Sequence, residues 1–404
     1  MNKLLSIIVA GILGIICISP PQFVQDVSGF AESLGATRPT FKSDYYVPII
    51  INSFAWLFAV LISGLIGFYM LTQRLHPALK FLSVYLFIGC FFSEVPYFSF
   101  TAYIILSMTF VFFLIARECQ EKILIDVMQS VFWLELTLAS LRLMGMDTLM
   151  NYGRPEPVFF GTIVQHMRFA SLLCILSPFL ILRSKWYIIP VCVAAVLCTS
   201  SGFALSILAG ILVYVALKRP PKWLVLSSFA VVLPLLGLAL WLGRDSFAVA
   251  FREGRFPIWM VILKSWVLDT KGPMGSPDWL GISQTGPFDL KTFLFGHGLD
   301  TFYAMFPVYK HDGNSFAQAH NCWIQIPWEV GLAGLMGVIA YCTWLCFRLY
   351  KAKEHECLAG LAIIGTNMIP HFPTRMTQTM WLIVAFIAIC ERRLLTGGRI
   401  NAVA

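Results

Sequence analysis

Residues 320–334 read His-Asn-Cys-Trp-Ile-Gln-Ile-Pro-Trp-Glu-Val-Gly-Leu-Ala-Gly and gather more potential chemistry than any other stretch of the chain. A histidine at an aqueous membrane surface titrates near neutral pH, as a general base must. Asn321 is a natural N-cap for the helix that follows. Asn321, Gln325 and Glu329 recur every four residues and so share one helix face. An ionisable Glu329 inside an apolar span is costly and marks a candidate functional site. Gly331, Gly334 and Gly337 let a second helix approach closely. From spacing alone a plainer assignment is equally good, with His320 an interfacial residue and Asn321 merely a cap.

Other reaction chemistries lack their residues. No Cys-x-x-Cys or Cys/His spacing suits zinc, and no Asp-x-Asp pair suggests a metal-dependent transferase. No Gly-x-Ser-x-Gly supports a hydrolase, and Gly296-x-Gly298 lacks the strand–helix context of a nucleotide loop. The 11 cysteines, an odd number, fall mostly inside apolar runs and read as small buried hydrophobes. His297, His311, His355 and His371 read as loop or interface residues.

The elements that must position these residues are membrane helices. The 404 residues are 58% apolar and 12% charged, far from the roughly 25% charged of soluble domains. This excludes disorder, a disulfide-stapled secreted fold and a coiled coil. A bilayer span needs about 20 apolar residues. Clear candidates are 47–71, 97–116, 161–182, 223–243 and 324–347. Shorter ones are 4–19, 79–93, 123–143, 186–199, 203–217, 357–370 and 376–390. Short pairs break at Glu94-Val95-Pro96 and at Ser200-Ser201-Gly202. The expectation is an all-α polytopic membrane protein with about 12 transmembrane helices, its first helix an uncleaved span.

Basic residues test that layout. Every second connection carries them: Lys3; Arg74 and Lys80; Arg117 and Lys122; Arg183 and Lys185; Lys218, Arg219 and Lys222; Arg348, Lys351 and Lys353; Arg392, Arg393 and Arg399. By the positive-inside rule these segments and both termini face the cytoplasm. The formal charge of +8 is then a topology signal and not a nucleic-acid footprint. The exceptional connection is 244–319, a large extracytoplasmic loop between helices 9 and 10. Within it Phe256–Trp266 reads as a helix with Pro257 in its first turn, and its two Trp and aliphatic face suit the membrane interface.

The string at His320 resembles the signature of the O-antigen ligase/polymerase superfamily of membrane glycosyltransferases: His-Asn, nine residues, Gly, two residues, then a small residue. Three further segments are similar to that family's pattern, in order. Gly161-Thr162-Ile163-Val164-Gln165-His166-Met167-Arg168-Phe169-Ala170 resembles its Gly-Thr-Phe-Gly-Asn-x-Asn-x-x-Ala, with both Asn positions changed. Gly254-Arg255-Phe256-Pro257-Ile258-Trp259 resembles Gly-Arg-x-x-x-Trp. Leu294-Phe295-Gly296-His297-Gly298-Leu299-Asp300-Thr301-Phe302 resembles Leu-x-Gly-x-Gly-Leu-x-x-Phe. The similarity covers roughly 161–340. One departure is the Arg-x-x-x-Leu of many ligases, replaced here by Ser200-Ser201-Gly202-Phe203-Ala204-Leu205.

The resemblance implies an inverting, metal-independent transferase of the bacterial inner membrane, without a cofactor. Its donor is a polyprenyl-diphosphate-linked glycan and its acceptor a glycan or lipid-linked hydroxyl, in the setting of other envelope polysaccharide assembly proteins. His320 takes the acceptor proton. Arg255, beside a helix N-terminus, binds the donor diphosphate with Arg252, since Arg suits that anion best where no metal does so. Arg168 and Arg375 are candidates for a second anion site, while Asn321, Glu329, Gly331 and Gly334 are structural. Lipid-headgroup contact is the plain alternative for the two arginines of the loop. A repeat-unit polymerase of the same superfamily shares these features with a ligase. A lipid-linked glycan transporter is the reading from another class.

Overall fold

The computed structural model describes residues 2–18, 53–73, 75–144, 166–218, 234–238, 241, 256–268, 287–302, 319–370 and 377–396. Among them the chain is helical, its β content a single bridge between Leu268 and Phe288. The α-helices among the described residues are α1 Asn2–Ile18, α2 Ser53–Thr72, α3 Pro77–Phe92, α4 Pro96–Glu118, α5 Glu121–Leu143, α6 His166–Arg183, α7 Ile188–Leu197, α8 Ser201–Lys218, α9 Phe256–Val267, α10 Leu290–Phe295, α11 Cys322–Lys351, α12 His355–Asn367 and α13 Thr377–Leu395. Eleven of the twelve apolar segments correspond to a described helix, while most of 223–243 lies outside the described residues. Four described helices are long and apolar enough to cross a membrane: Phe98–Glu118, Glu121–Leu143, Ser201–Lys218 and Cys322–Lys351.

The chain divides into two compact units. The first comprises Met1–Phe23, Val111–Val249 and Leu345–Ala404. Its centre is α6, where every residue from Phe169 to Leu180 is buried. A helix apolar on all sides belongs inside a bundle. Small residues bring its neighbours close. A Cβ on Gly210 of α8 would meet Ile363 of α12 at 2.5 Å, and one on Gly360 of α12 would meet Phe386 of α13 at 2.2 Å.

Helix ends of this unit are joined by polar contacts. Arg393 Nη1 lies 2.9 Å from Glu354, and the same guanidinium binds Glu121 at the start of α5. Arg117 Nη1 lies 3.2 Å from Glu391, Lys218 Nζ 2.7 Å from Glu356, and Arg183 Nη1 3.6 Å from Asp126. Near the start of the chain, Ser6 Oγ accepts the Gln120 N–H at 2.7 Å. Segments around 3–6, 117–126, 183, 218, 354–356 and 391–393 therefore converge. These are segments that the basic residues assign to one side.

The second unit comprises Val24–Phe110 and Ala250–Trp344. Part of its interior is aromatic: Phe87, Phe91, Phe100 and Tyr103 pack edge-on or tilted, with ring centroids 5.0–6.0 Å apart. The Tyr103 hydroxyl lies 3.1 Å from Ser83 Oγ, which satisfies a phenol buried between helices. A second cluster joins Ile258, Val261 and Ile262 of α9 to Phe302, Ala319 and Trp328. The aliphatic face of α9 thus packs into protein, while Met260 and Leu263 are exposed. Both its indoles bind carbonyls, Trp259 Nε1–H to Ala319 at 2.8 Å and Trp266 Nε1–H to Phe293 at 3.1 Å. That inward packing goes beyond what an interfacial helix requires.

Candidate functional site

The described part of the site belongs to the second unit and is built around an interruption in α11. Gly331 has φ 66° and ψ −176°, so Cys322–Val330 and the helix beyond it are separate rods. A break of this kind releases carbonyls from the helical ladder, and buried carbonyls need donors. Three are supplied from elsewhere in the unit. Trp328 O accepts the His297 N–H at 2.9 Å, Glu329 O the Gly298 N–H at 2.9 Å, and Val330 O the Tyr85 hydroxyl at 3.0 Å.

Two of these donors come from the segment 296–302, which follows α10, and the third from Tyr85 of α3. Gly296 and Gly298 have φ of 72° and 118°. Their missing side chains matter as much as their dihedrals. A Cβ on Gly296 would stand 2.4 Å from the Glu329 carbonyl, and one on Gly298 1.9 Å from Ser93 Oγ. Gly296 thus lets backbone dock on backbone, and Gly298 makes room for the Ser93 side chain.

The polar row on α11 forms a linked chain. Asn321 Oδ1 accepts the Ile324 N–H at 3.2 Å, in N-cap geometry. Gln325 Oε1 accepts the Ala319 N–H at 3.2 Å, and its amide donates to Glu329 Oε1 at 2.8 Å. Glu329 Oε2 accepts the Asp300 N–H at 3.1 Å. Glu329, 3% exposed, is occupied in joining α11 to the 296–302 segment.

His320 stands at the head of this arrangement. It is partly buried with φ 52°, in the left-handed region. Its neighbours are held on both sides. Ala319 gives its carbonyl to Trp259 and its N–H to Gln325, while Asn321 caps the helix. Positive φ outside glycine persists where surroundings over-determine it and is frequent at functional sites.

The remaining predicted residues are distributed differently. Arg168 lies at the start of α6 in the first unit and is partly buried. Arg252, Arg255 and Arg375 lie outside the described residues, as do His311 and His371. Gly334 sits under Val330 and Tyr85, where a Cβ would come within 2.5 Å and 3.2 Å respectively.

His297 requires a correction. Expected as a loop or interface residue, it does lie in a non-helical segment, but it is 1% exposed and held through both ring nitrogens. Its Nδ1 lies 3.2 Å from Glu94 Oε1, its Nε2 lies 3.0 Å from Ser265 O, and its ring lies 4.1 Å from that of Trp328. Trp328 in turn donates to Ser265 Oγ at 3.0 Å. Glu94 and His297 are 203 positions apart, so no local spacing joins them. The available signal was Glu94 itself, an ionisable group between two apolar segments.

No family model, curated protein or solved structure matches the chain. The family resemblance therefore rests on the motifs themselves.

Proposed function

We propose that this chain is a polytopic membrane glycosyltransferase that moves a polyprenyl-diphosphate-linked glycan onto an acceptor hydroxyl during cell-surface polysaccharide assembly. What carries the reading is His320, fixed at positive φ between Ala319 and the capped start of α11. A general base needs such fixed placement against its substrate.

In this reaction the acceptor O–H gives its proton to His320 while its oxygen attacks the anomeric carbon. The bond from that carbon to the diphosphate oxygen breaks, and the leaving polyprenyl diphosphate takes the electron pair. Anomeric configuration inverts. Arg255 and Arg252 neutralise the leaving group. About 12 spans, cytoplasmic termini and an external 244–319 loop put this chemistry at the outer face of a bacterial inner membrane.

Purified protein, a synthetic lipid-diphosphate glycan and an acceptor glycan provide the test. His320→Ala and Arg255→Ala are expected to lose transfer by at least about 10²-fold while accumulating normally in membranes. Wild-type transfer by His320→Ala would remove the general-base role. Donor movement across vesicles without a new glycosidic bond would favour the transporter instead. In a deletion strain, glycan chains reduced to one attached repeat indicate a polymerase, and complete loss from the acceptor a ligase.

A further inference from the structure

Outside the residues used above, the most constrained polar group of the second unit is the Glu94–His297 pair. The Ser265 carbonyl can only accept, so Nε2 of His297 carries hydrogen and donates to it at 3.0 Å. Nδ1 faces Glu94 Oε1 at 3.2 Å. A neutral imidazole with hydrogen on Nε2 offers a lone pair there, and a carboxylate offers another. Two acceptors do not bind, so the contact needs one further proton, on the ring or on the carboxyl.

Backbone contacts extend the pair. His297 N–H donates to Trp328 O, and His297 O accepts the Glu94 N–H at 2.9 Å. One residue therefore ties the α3–α4 turn, α9, the 296–302 segment and the first rod of α11, which begins two residues after His320. Among the described residues, the charged groups on these elements are Glu94 itself, Lys264 beside Ser265, Asp300, and Glu329, whose carboxylate is turned to Gln325 and the Asp300 N–H.

We propose that Glu94 and His297 are positioning residues for the transfer reaction, sharing one buried proton that fixes the 296–302 segment against the far end of the rod that follows His320. This rests on the glycosyltransferase reading. Glu94→Gln supplies an amide N–H to a neutral Nδ1 and needs no extra proton. Glu94→Ala and His297→Phe leave polar partners without a match.

The experiment measures transfer by purified full-length protein, together with hydrogen exchange of the backbone amides. Glu94→Ala and His297→Phe are expected to lose about 10²-fold in kcat with little change in donor KM. Both also lose amide protection at 296–300 and 321–331. Glu94→Gln, which still offers Nδ1 a hydrogen bond, keeps that protection and most of the activity. Wild-type kinetics in both disruptive variants, or a Glu94→Gln variant as impaired as Glu94→Ala, would overturn the proposal. If Glu94→Ala does not accumulate, His297→Phe and Glu94→Gln decide. If the wild-type protein transfers nothing, the glycosyltransferase reading fails, and exchange alone judges the pair: unchanged protection in both disruptive variants refutes it.

Discussion

A methyl group on Gly331 would stand 2.0 Å from the Leu294 carbonyl oxygen, on a backbone at φ 66°. Neither atom belongs to a flexible side chain, so one of the two segments has to move. Gly331→Ala is expected to cost at least about 1–3 kcal/mol from backbone strain alone, and more from the displaced contact. Lower thermal stability in detergent and reduced yield would register it, whereas wild-type melting would mean the break at Gly331 is dispensable. Asp289 works at the same scale from outside the spans, capping α10 through the N–H groups of Lys291 and Thr292. Burial pushes its carboxyl up, but the Thr292 hydroxyl, those two N–H groups and the Lys291 charge outweigh it and hold it below the ordinary carboxylate value. A lowered folded value means the contribution is full above the unfolded value and disappears as pH falls through the folded one. Asp289→Asn keeps the cap without the titration. Its melting temperature should therefore fall less than that of wild type between neutral pH and about pH 3. Parallel acid profiles would show that Asp289 contributes nothing to the pH dependence.

Helix ends in the first unit carry a different kind of constraint, because Arg393, Glu121 and Glu354 are almost fully removed from solvent. Deleting one partner strands the others as buried charges. Arg393→Met is expected to cost about 3–5 kcal/mol, and adding Glu121→Leu and Glu354→Leu should recover most of it. A triple variant that melts below the single one would contradict this account. At this scale the helical content was legible, because apolar runs form helices, and eleven of the twelve apolar segments coincide with a described helix. The break at Glu94-Val95-Pro96 was legible for the same reason, since Pro96 cannot continue an existing helix but readily begins one. The interruption at Gly331 was not, because hydropathy runs unbroken through 324–347 and glycine alone does not stop a helix. What stops it is the 296–302 segment, which supplies replacement donors from outside the helix. The polar row Asn321, Gln325 and Glu329 was visible as a periodicity, whereas its partners Ala319 and Asp300 were not, since pairing across a chain reversal leaves no periodic trace. The inward face of α9 was ambiguous on similar grounds: an aliphatic stripe reads the same whether lipid or Trp328 covers it.

At the scale of the whole molecule, the ion pairs of the first unit bear on topology. Arg117, Arg183, Lys218 and Arg393 each have a carboxylate partner, so their ends of the bundle are closer to neutral than the basic residues alone suggest. Orientation in a membrane nevertheless follows Lys and Arg counts in short connections and not net charge. The bias that sets insertion therefore survives the pairing that stabilises the folded state. Six segments far apart in sequence converge through these contacts. Truncation fusions to alkaline phosphatase and to a green fluorescent reporter test the orientation. Fusions after Lys122, Lys185, Lys222 and Lys353 are expected to fluoresce and lack phosphatase activity, with the reverse after Asp278 and Lys310. Phosphatase activity after Lys222 equal to that after Asp278 would mean that no crossing separates them. The external loop would then share its side with the basic connections, and a transfer reaction on the outer face would lose its geometric basis.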